Sequence, residues 1–512
     1  MENTSNKTIV KNTILLYFRM ALVTVVGLYT SRVILQTLGV EDFGIYNVAG
    51  SAVALFSFLT SALSQSSSRY ITVEIGRQKD NDYDSLIRCF KTTRTIHAIL
   101  AIIIFIICET VGLIIFNKSS IPPDRIGAAV WVFHISVATA LVNIIQLPYN
   151  ALIIAHEKMG VFAYVSILEV TAKLLICYML IFSPVDKLIF YAILVLLVQI
   201  MVFIIYCRYC YRNFKECKKG YKLSNDFFKP MMTYSFWSLF GGISYSALTQ
   251  GSTILISFFF GPSIVAARAL ANQVKGQVIN FVNNFRIAIN PQIIKRNASG
   301  DIASSKGLLF FSANITFYLM LAFVLPLIFE VSFVLKFWLH DVPEYTVEFM
   351  QIALLEMLFY VYDVTFFQIF RTEGRLKENA IICPIIDMIG LAIVYIIYLF
   401  GGNVLVIGWC MVILTIIEGM IVKPLLAKRL FGYELKDFLK VYANNMKVLL
   451  ASLVIPTAAY FYLGNSSAKS VFIILLSVLS ALLSSFFVGL TKVERSKIKE
   501  IVLNKLNKRN GI

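Results

Sequence analysis

The chain has 512 residues, of which 58% are hydrophobic and only 15% are charged, and its mean hydropathy is +0.77. Soluble proteins carry roughly 25% charged residues, so this composition excludes a water-soluble protein and indicates a polytopic membrane protein. The formal net charge of +17 does not indicate a nucleic-acid partner, because the basic residues lie in short segments between apolar runs and form no continuous basic face.

Apolar runs long enough to cross a bilayer as helices recur along the whole chain. They predict an all-α protein with about 14 transmembrane helices. The predicted spans of the first part are 13–36, 44–66, 95–116, 127–147, 161–182 and 187–207. Those of the second part are 232–257, 263–289, 308–330, 346–370, 380–400, 403–423, 447–463 and 469–491. Polar residues interrupt the spans 44–66 and 263–289, which are the weakest predictions.

The distribution of cations between the spans predicts the orientation of the chain. About 35 of the 46 Lys and Arg residues fall on the side that carries both termini, and about 5 fall on the opposite side. Short cytoplasmic loops are enriched in Lys and Arg, so both termini are predicted to be cytoplasmic.

The spans group into two bundles of six, followed by a further pair. An N-terminal lobe is predicted at 1–207 and a C-terminal lobe at 232–423, joined by a basic cytoplasmic linker at 208–231. An extra helix pair is predicted at 424–491 and a basic cytoplasmic tail at 492–512. The cations of the linker orient the chain and attract anionic lipid.

A weak internal repeat relates the two predicted lobes. The turn at Gly39 and the polar helix after it resemble the turn at Gly261 and its own polar helix, at an offset of 222 residues. Transporters that are built from parallel repeats bind their substrate between the two halves. The repeat therefore favours a transporter.

The span 263–289 carries the most informative ionisable residues. At about 100° per residue, one stripe of this helix contains two arginines, a lysine and two asparagines. They are Arg268, Asn272, Lys275, Asn283 and Arg286. Each buried charge costs at least ~2.5 kcal/mol at the bilayer centre, so the stripe is predicted to line a wet cavity or to bind anions such as phosphate. The alternative is an amphipathic helix at the interface whose cations extend towards water.

The first two spans add further candidates. Arg19 and Arg32 lie on different sides of the span 13–36, and either one lines the cavity or extends to an interface. The span 44–66 is rich in Ser, Thr, Asn and Gln, which hydrogen-bond sugar hydroxyls or, equally, neighbouring helices.

Acidic residues suggest an ion-coupling site in the span 346–370. Glu356 and Asp363 lie on one face of this helix and have no cation near them in sequence, so they are candidates for proton or sodium coupling. Glu169 and Lys173, by contrast, lie four residues apart and are expected to neutralise each other.

Signatures of catalysis and of cofactor binding are missing from the sequence. It contains no nucleotide-binding loop, no serine-nucleophile motif and no His-Glu-x-x-His, and its eight cysteines form no complete metal-binding set. We therefore expect no enzyme activity, no catalytic residue, no metal and no cofactor.

Three segments near the N-terminus resemble a known family. NTILLYFR (12–19), YTSRVIL (29–35) and LGVEDFGIY (38–46) are similar to the start of bacterial polysaccharide-export proteins, the O-antigen and capsule flippases of the Wzx type. This family belongs to the superfamily that includes multidrug and toxic-compound extrusion (MATE) proteins and lipid II flippases. The resemblance extends over the rest of the chain in the layout of the spans.

The resemblance implies two six-helix lobes that enclose a cavity, with two extra helices at the C-terminus. It also implies that the protein turns a polyprenyl-diphosphate-linked oligosaccharide from the cytoplasmic to the outer leaflet of the bacterial cytoplasmic (inner) membrane by alternating access. Membrane lipid, a polysaccharide polymerase and glycosyltransferases are the expected partners. By similarity, Arg19, Arg32, Arg268 and Lys275 could bind the diphosphate, although Lys275 departs from the arginines of related flippases.

Two rival functions remain open at the level of sequence. A MATE-like, ion-coupled multidrug exporter would favour acidic cavity residues and would need only about twelve helices. A glycosyltransferase or polymerase would normally need larger outer loops than this chain has. The basic stripe and the extra helix pair favour the flippase.

Overall fold

The structure is a computed structural model, and it describes residues 22–77, 83–112, 114, 120–156, 158–183, 185–217, 220–463, 467–492 and 494–496. Of these residues 88% are helical and none forms a β-strand. The prediction of an all-α protein is therefore confirmed for the described part of the chain.

The helices follow one another with short connections. The first part of the chain contains α1 (Leu22–Leu38), α2 (Val40–Ala54), α3 (Ser57–Arg77), α4 (Asp84–Ile107), α5 (Ile126–Ala155), α6 (Met159–Ile181), α7 (Lys187–Asn213), α8 (Asn225–Phe260) and α9 (Pro262–Ala298). The second part contains α10 (Ile302–Phe329), α11 (Val331–Leu339), α12 (Thr346–Thr372), α13 (Lys377–Leu399), α14 (Val406–Ile416), α15 (Lys423–Phe431), α16 (Leu435–Tyr462) and α17 (Ser467–Ser484). Short π-helical turns at Cys108–Gly112, Ile417–Val422 and Ser485–Gly489 extend α4, join α14 to α15 and extend α17.

Within the described residues, ten helices are long and apolar enough to cross a membrane, or 11 if the bent pair α1–α2 counts as one span. Each of the ten overlaps a predicted span, and the protein is a multi-pass membrane protein. The predicted spans 13–36, 44–66, 232–257 and 263–289 fall on α1, α2–α3, α8 and α9, which are not among these ten helices. The number of about 14 spans is therefore not confirmed.

One predicted span is interrupted in the structure. The prediction placed a single helix at 44–66, but α2 ends at Ala54 and α3 begins at Ser57. The Phe56 N–H donates to the carbonyl of Val53 instead of the residue four positions back, so the α-helical ladder stops here. The break contains neither proline nor glycine and had no signal in the sequence.

The chain divides into two compact units. Unit 1 comprises Met1–Ala269 and Asp387–Val404, and unit 2 comprises Leu270–Ile386 and Leu405–Ile512. Helices occupy both ends of the predicted linker 208–231, because α7 continues to Asn213 and α8 begins at Asn225. The lobe boundaries and the cytoplasmic location of the linker stay predictions.

In unit 1, two glycine turns have nearly the same backbone geometry. Gly39 (φ 85°, ψ 168°) joins α1 to α2, and Gly261 (φ 83°, ψ 178°) joins α8 to α9. The positive φ favours glycine at both turns. The start of α9 also packs on α2, where a Cβ on Gly44 would lie 1.9 Å from the Pro262 carbonyl oxygen. The two turns singled out by the weak sequence repeat therefore share one backbone geometry and lie within one unit.

An ion-pair network ties three segments of unit 1 together near these turns. Arg125 donates both to Asp42, at the start of α2, and to Asp186, which precedes α7. The Asp186 side chain also accepts hydrogen bonds from the Leu188 and Ile189 N–H groups. Burial opposes ionisation of Asp186, but Arg125 and these N–H donors lower its pKa overall.

Candidate functional site

The predicted basic stripe lies on α9, a 37-residue helix that begins directly after Gly261. At its first cation, the surroundings are apolar and closely packed: Val265, Ala266 and Ala267 are buried, and Arg268 itself is only 5% exposed. The Arg268 guanidinium donates to the Thr253 hydroxyl on α8 at 3.2 Å. In this conformation Arg268 is therefore packed within unit 1. Asn272, one turn further along α9, is exposed.

The second cation of the stripe forms an ion pair with one of the predicted coupling acids. Lys275 Nζ lies 2.5 Å from Glu356 Oε1 on α12, and both residues belong to unit 2. The two side chains are 17% and 11% exposed. A paired charge avoids much of the cost of lying alone in a membrane, which explains how both residues are accommodated.

The third cation of the stripe contacts α12 about two turns further along. Arg286 donates to the Val364 carbonyl oxygen at 2.5 Å and to the Asn283 amide oxygen at 2.9 Å. Since Val364 follows Asp363 directly, Arg286 lies beside the second predicted coupling acid. The helices α9 and α12 are thus joined by polar contacts at two levels.

Asp363 has its own buried partner, which the sequence did not reveal. Lys423 at the start of α15 pairs with the Asp363 carboxylate, and its Nζ also lies 3.3 Å from the Asp363 carbonyl oxygen. Lys423 is only 4% exposed. The preceding π-helical turn approaches α12 so closely that a Cβ on Gly419 would lie 2.6 Å from the Asp363 backbone nitrogen. Such π-helical turns occur frequently at functional sites.

The premise that Glu356 and Asp363 have no cationic partner was wrong. Each carboxylate pairs with a lysine from another helix, at 81 and 60 residues' separation in sequence. Lys275 and Glu356 therefore join one predicted substrate-binding residue directly to one predicted ion-coupling residue. Their roles in binding and coupling stay predictions.

Of the remaining predicted residues, the structure describes Arg32, Glu169 and Lys173 but not Arg19. Arg32 lies on α1 and is half-buried. The expected pair of Glu169 and Lys173 is confirmed at 2.6 Å, and it is a local contact within α6.

Unit 1 contains a cavity that the sequence analysis missed. It has a volume of about 340 Å³ and is bounded by α2, α3, α4, α5 and α7. Its polar lining comes from Ser57 and Thr60 on α3 and from Ser136, Thr139 and Asn143 on α5. The latter three recur at i, i+3 and i+7, a spacing that places them on one face of a helix. That periodicity was available in the sequence, but a search for ionisable residues passes over it.

The break between α2 and α3 forms part of the cavity wall. Phe56, at the break, and Ser57, the first residue of α3, both line the cavity. The Ser57 hydroxyl also hydrogen-bonds to the Ser246 hydroxyl on α8, at 3.1 Å. The interruption of the predicted span 44–66 thus turns a polar helix end towards this cavity.

Comparison with known proteins identifies the family. Residues 9–296 match the model of the family described as polysaccharide biosynthesis protein. This chain belongs to that family. No curated protein matches the chain in sequence.

Two solved structures share the fold of this family member. A lipid II flippase, MurJ, in an inward closed conformation is similar with a TM-score of 0.68 and 15% identity, covering 93% of this chain and 98% of that one. A multidrug resistance MATE family transporter of the MOP superfamily, in an inward-facing conformation, is similar with a TM-score of 0.68 and 13% identity, covering 84% of this chain and 98% of that one. At such low identities, these TM-scores show a shared fold and no more.

Proposed function

We propose that this protein is a flippase that moves a polyprenyl-diphosphate-linked oligosaccharide, such as an O-antigen or capsule repeat unit, from the inner to the outer leaflet of the bacterial cytoplasmic membrane by alternating access. The observation that carries the proposal is the match of residues 9–296 to the polysaccharide biosynthesis family. The fold shared with a lipid II flippase over 93% of the chain supports it.

The cargo's chemistry agrees with the residues of α9. A polyprenyl tail can stay in the hydrocarbon of the bilayer during transfer, but a diphosphate with several negative charges cannot. Crossing therefore requires cations within the membrane region, and membrane proteins rarely place cations there without a function. Lys275 is the best placed of them, because its partner Glu356 is a single carboxylate that a diphosphate can displace.

This displacement would couple cargo binding to an ion. When the diphosphate takes Lys275, Glu356 loses its counter-ion in a poorly hydrated place, and a proton or a sodium ion then neutralises it. Release of the cargo restores the pair and expels the ion. A ligand shifts a conformational equilibrium only by its differential affinity for the two states, so this exchange drives transport to the extent that the Lys275–Glu356 pair differs in strength between them.

The other predicted site residues have supporting roles in this proposal. Arg268, Asn272 and Arg286 belong to the same stripe and contribute to binding the headgroup as the cycle proceeds. Arg19 and Arg32 are further diphosphate ligands by family resemblance. Asp363 pairs with the buried Lys423 and directly precedes Val364, whose carbonyl oxygen accepts from Arg286. In this proposal, ion binding at Glu356 also alters the contacts of Asp363, because both acids lie on α12.

The family match supports a cellular setting for this cycle. We propose that both termini are cytoplasmic, so that glycosyltransferases deliver the lipid-linked repeat unit on the inner side and a polysaccharide polymerase receives it on the outer side. The protein itself works as a transporter, without a cofactor.

An ion-coupled multidrug exporter is the second candidate, because the similarity to the MATE transporter has the same TM-score of 0.68. The acids that would bind a cationic drug in unit 2, Glu356 and Asp363, are each occupied by a lysine. That pairing favours an anionic cargo, which competes for the lysine, over a cationic one.

Reconstitution in liposomes tests the flippase directly. Undecaprenyl-diphosphate-linked N-acetylglucosamine is incorporated into both leaflets, and an external galactosyltransferase with radiolabelled UDP-galactose modifies only the sugar on the outside. Protein-containing vesicles should label nearly all of the lipid, whereas protein-free vesicles should stop at about half. Lys275→Ala should abolish the additional labelling.

A matched control and a drug arm complete the experiment. Asn280 lies on α9, is exposed and faces away from Lys275, so Asn280→Ala should label like the wild type. Labelling that stops at about half for the wild type, together with uptake of ethidium by the same vesicles, would refute the flippase and support the drug exporter.

A further inference from the structure

We infer that the uncharged cavity of unit 1 is a sugar-binding subsite that takes one or two rings of a neutral oligosaccharide. The inference rests on the proposed function, because it deepens the account of the cargo, but it is carried by separate residues. None of them belongs to the α9 stripe or to the acids of α12.

The volume of the cavity sets the size of its ligand. At about 340 Å³ it lies at the lower end of the range of about 300–1,000 Å³ that is usual for small-molecule sites. This space far exceeds what a bare metal ion or a single water molecule fills. A small organic group, such as a mono- or disaccharide portion, is the appropriate scale.

The lining excludes a charged ligand. None of the described residues that line the cavity is acidic or basic. A cationic drug would lose its hydration there without gaining a counter-ion, and so would an anionic phosphate. An uncharged ligand that is rich in hydroxyl groups does not meet this cost if its hydroxyls are hydrogen-bonded.

The hydroxyl groups of the lining are oriented to accept hydrogen bonds. Thr139 already donates its proton to the Ile135 carbonyl oxygen at 2.8 Å, and Thr60 donates to the Ser57 carbonyl oxygen at 2.8 Å. Because their protons are engaged, these two hydroxyl oxygens can take part in further hydrogen bonds only as acceptors, and sugar hydroxyls are donors. Asn143, which is exposed, adds two amide donors and a carbonyl acceptor.

Aromatic rings complete the chemistry of a sugar site. Tyr46 and Phe56 line the same cavity. Sugar rings present apolar C–H faces beside their hydroxyls, and aromatic side chains offer matching flat apolar surfaces. Hydroxyl acceptors, an amide and aromatic faces thus occur together in this one cavity.

A polar stripe on α3 extends this surface beyond the cavity. Exposed polar residues recur every three or four positions along the helix, at Ser57, Ser61, Gln65, Arg69 and Thr72. They cover about 22 Å along one face, since an α-helix rises 1.5 Å per residue. A lipid-exposed face would penalise such residues, so this face contacts water or a polar ligand. At its far end Gln65, Ser68, Arg69 and Thr72 line an open groove.

Sugar binding can be measured without the lipid. Purified protein in lipid nanodiscs is titrated with the neutral disaccharides N,N′-diacetylchitobiose, lactose and cellobiose, and binding is followed by saturation-transfer NMR. We expect binding of at least one of them, weakened about fivefold by Thr139→Val and about fivefold by Asn143→Leu, because each change removes hydrogen bonds to the sugar. Thr171→Val is the matched control: its hydroxyl makes the same bond to the carbonyl four residues back, at 2.9 Å, but on α6 away from the cavity.

A parallel titration with undecaprenyl diphosphate, which carries no sugar, separates this inference from the proposed function. Diphosphate binding that depends on Lys275 but not on Thr139, together with sugar binding that depends on Thr139 and Asn143, supports both. Absence of binding by all three disaccharides, or equal binding by the wild type and Thr139→Val, overturns the sugar subsite even if the lipid diphosphate binds. Sugar binding with the expected dependence in a protein that ignores the lipid diphosphate upholds the subsite and counts against the flippase.

Discussion

Two polar regions of the molecule, α12 in unit 2 and the cavity of unit 1, meet the cost of polar groups in a membrane in different ways. In unit 2, α12 carries Glu356 and Asp363, and a lysine from another helix pairs with each of these carboxylates, Lys275 with Glu356 and Lys423 with Asp363. In unit 1, the cavity is lined by hydroxyl groups that bond to their own helices, such as Thr139 to the Ile135 carbonyl oxygen. The charges of α12 have partners from elsewhere in the fold, whereas threonine needs only its own preceding turn. The first solution couples distant helices, and the second leaves a surface that is free to bind a neutral ligand.

The largest effect should come from breaking a buried pair in unit 2. Lys423→Met leaves Asp363 without its partner in a site where the lysine was 4% exposed. Removing one member of a buried ion pair costs about 3–5 kcal/mol, so we expect a marked fall in the thermal unfolding temperature in detergent.

The double variant Lys423→Met with Asp363→Leu sharpens this test. Replacing both charges by apolar groups should recover most of the stability, because neither member of the pair is left without the other. If the double variant is stable but does not flip the lipid, Asp363 contributes to coupling as well as to packing. A single variant as stable as the wild type would show that Asp363 is not held by this pair.

In unit 1, by contrast, added volume should be more harmful than lost charge. Gly44→Ala places a Cβ 1.9 Å from the Pro262 carbonyl oxygen, so the start of α9 must move away from α2. Overpacking of this kind costs about 1–3 kcal/mol, which unfolding in detergent can measure. Gly76→Ala on α3 meets no atom within 4 Å and should be neutral or slightly stabilising. Equal stability of the two variants would contradict the close packing at Gly44.

The ion-pair network of unit 1 should have a smaller and pH-dependent effect. Arg125→Leu removes the donor to Asp42 and Asp186, whose side chains are partly exposed, and should cost about 1–2 kcal/mol at pH 7. The pKa of Asp186 is lowered in the folded protein, so its contribution is present above the ordinary value of 3.8 and is lost as the pH falls below it. The difference between variant and wild type should therefore shrink below about pH 4. A difference that is constant with pH would assign the effect to packing of the arginine stem.

The same contrast explains what the sequence could predict. Hydropathy found the helices that are apolar enough to cross the membrane, and the glycine pattern found the turns at Gly39 and Gly261. The predicted spans also placed Lys275 and Glu356 on their helices. The sequence could not predict that the two residues pair, because they are 81 positions apart and only the packing of α9 against α12 brings them together.

The neutral cavity was missed for a different reason. The spacing of Ser136, Thr139 and Asn143 is visible in the sequence, but single hydroxyl residues are frequent in membrane helices as contacts between helices. The structure shows that this face of α5 borders a cavity, whose wall also contains Phe56 and Ser57 at the break between α2 and α3. That break depends on tertiary packing, since the chain has neither proline nor glycine there.

The exchange of Lys275 between Glu356 and a diphosphate is the central claim, and binding of undecaprenyl diphosphate to the protein in nanodiscs tests it most directly. Glu356→Gln removes the competing carboxylate and should tighten binding about tenfold, a difference of about 1.4 kcal/mol. Lys275→Met should weaken binding by at least about tenfold, since a hydrogen bond to a charged group contributes about 1.5–3 kcal/mol. The double variant should bind as weakly as Lys275→Met alone. Equal or weaker binding by Glu356→Gln, in a protein with native unfolding temperature, would contradict the exchange.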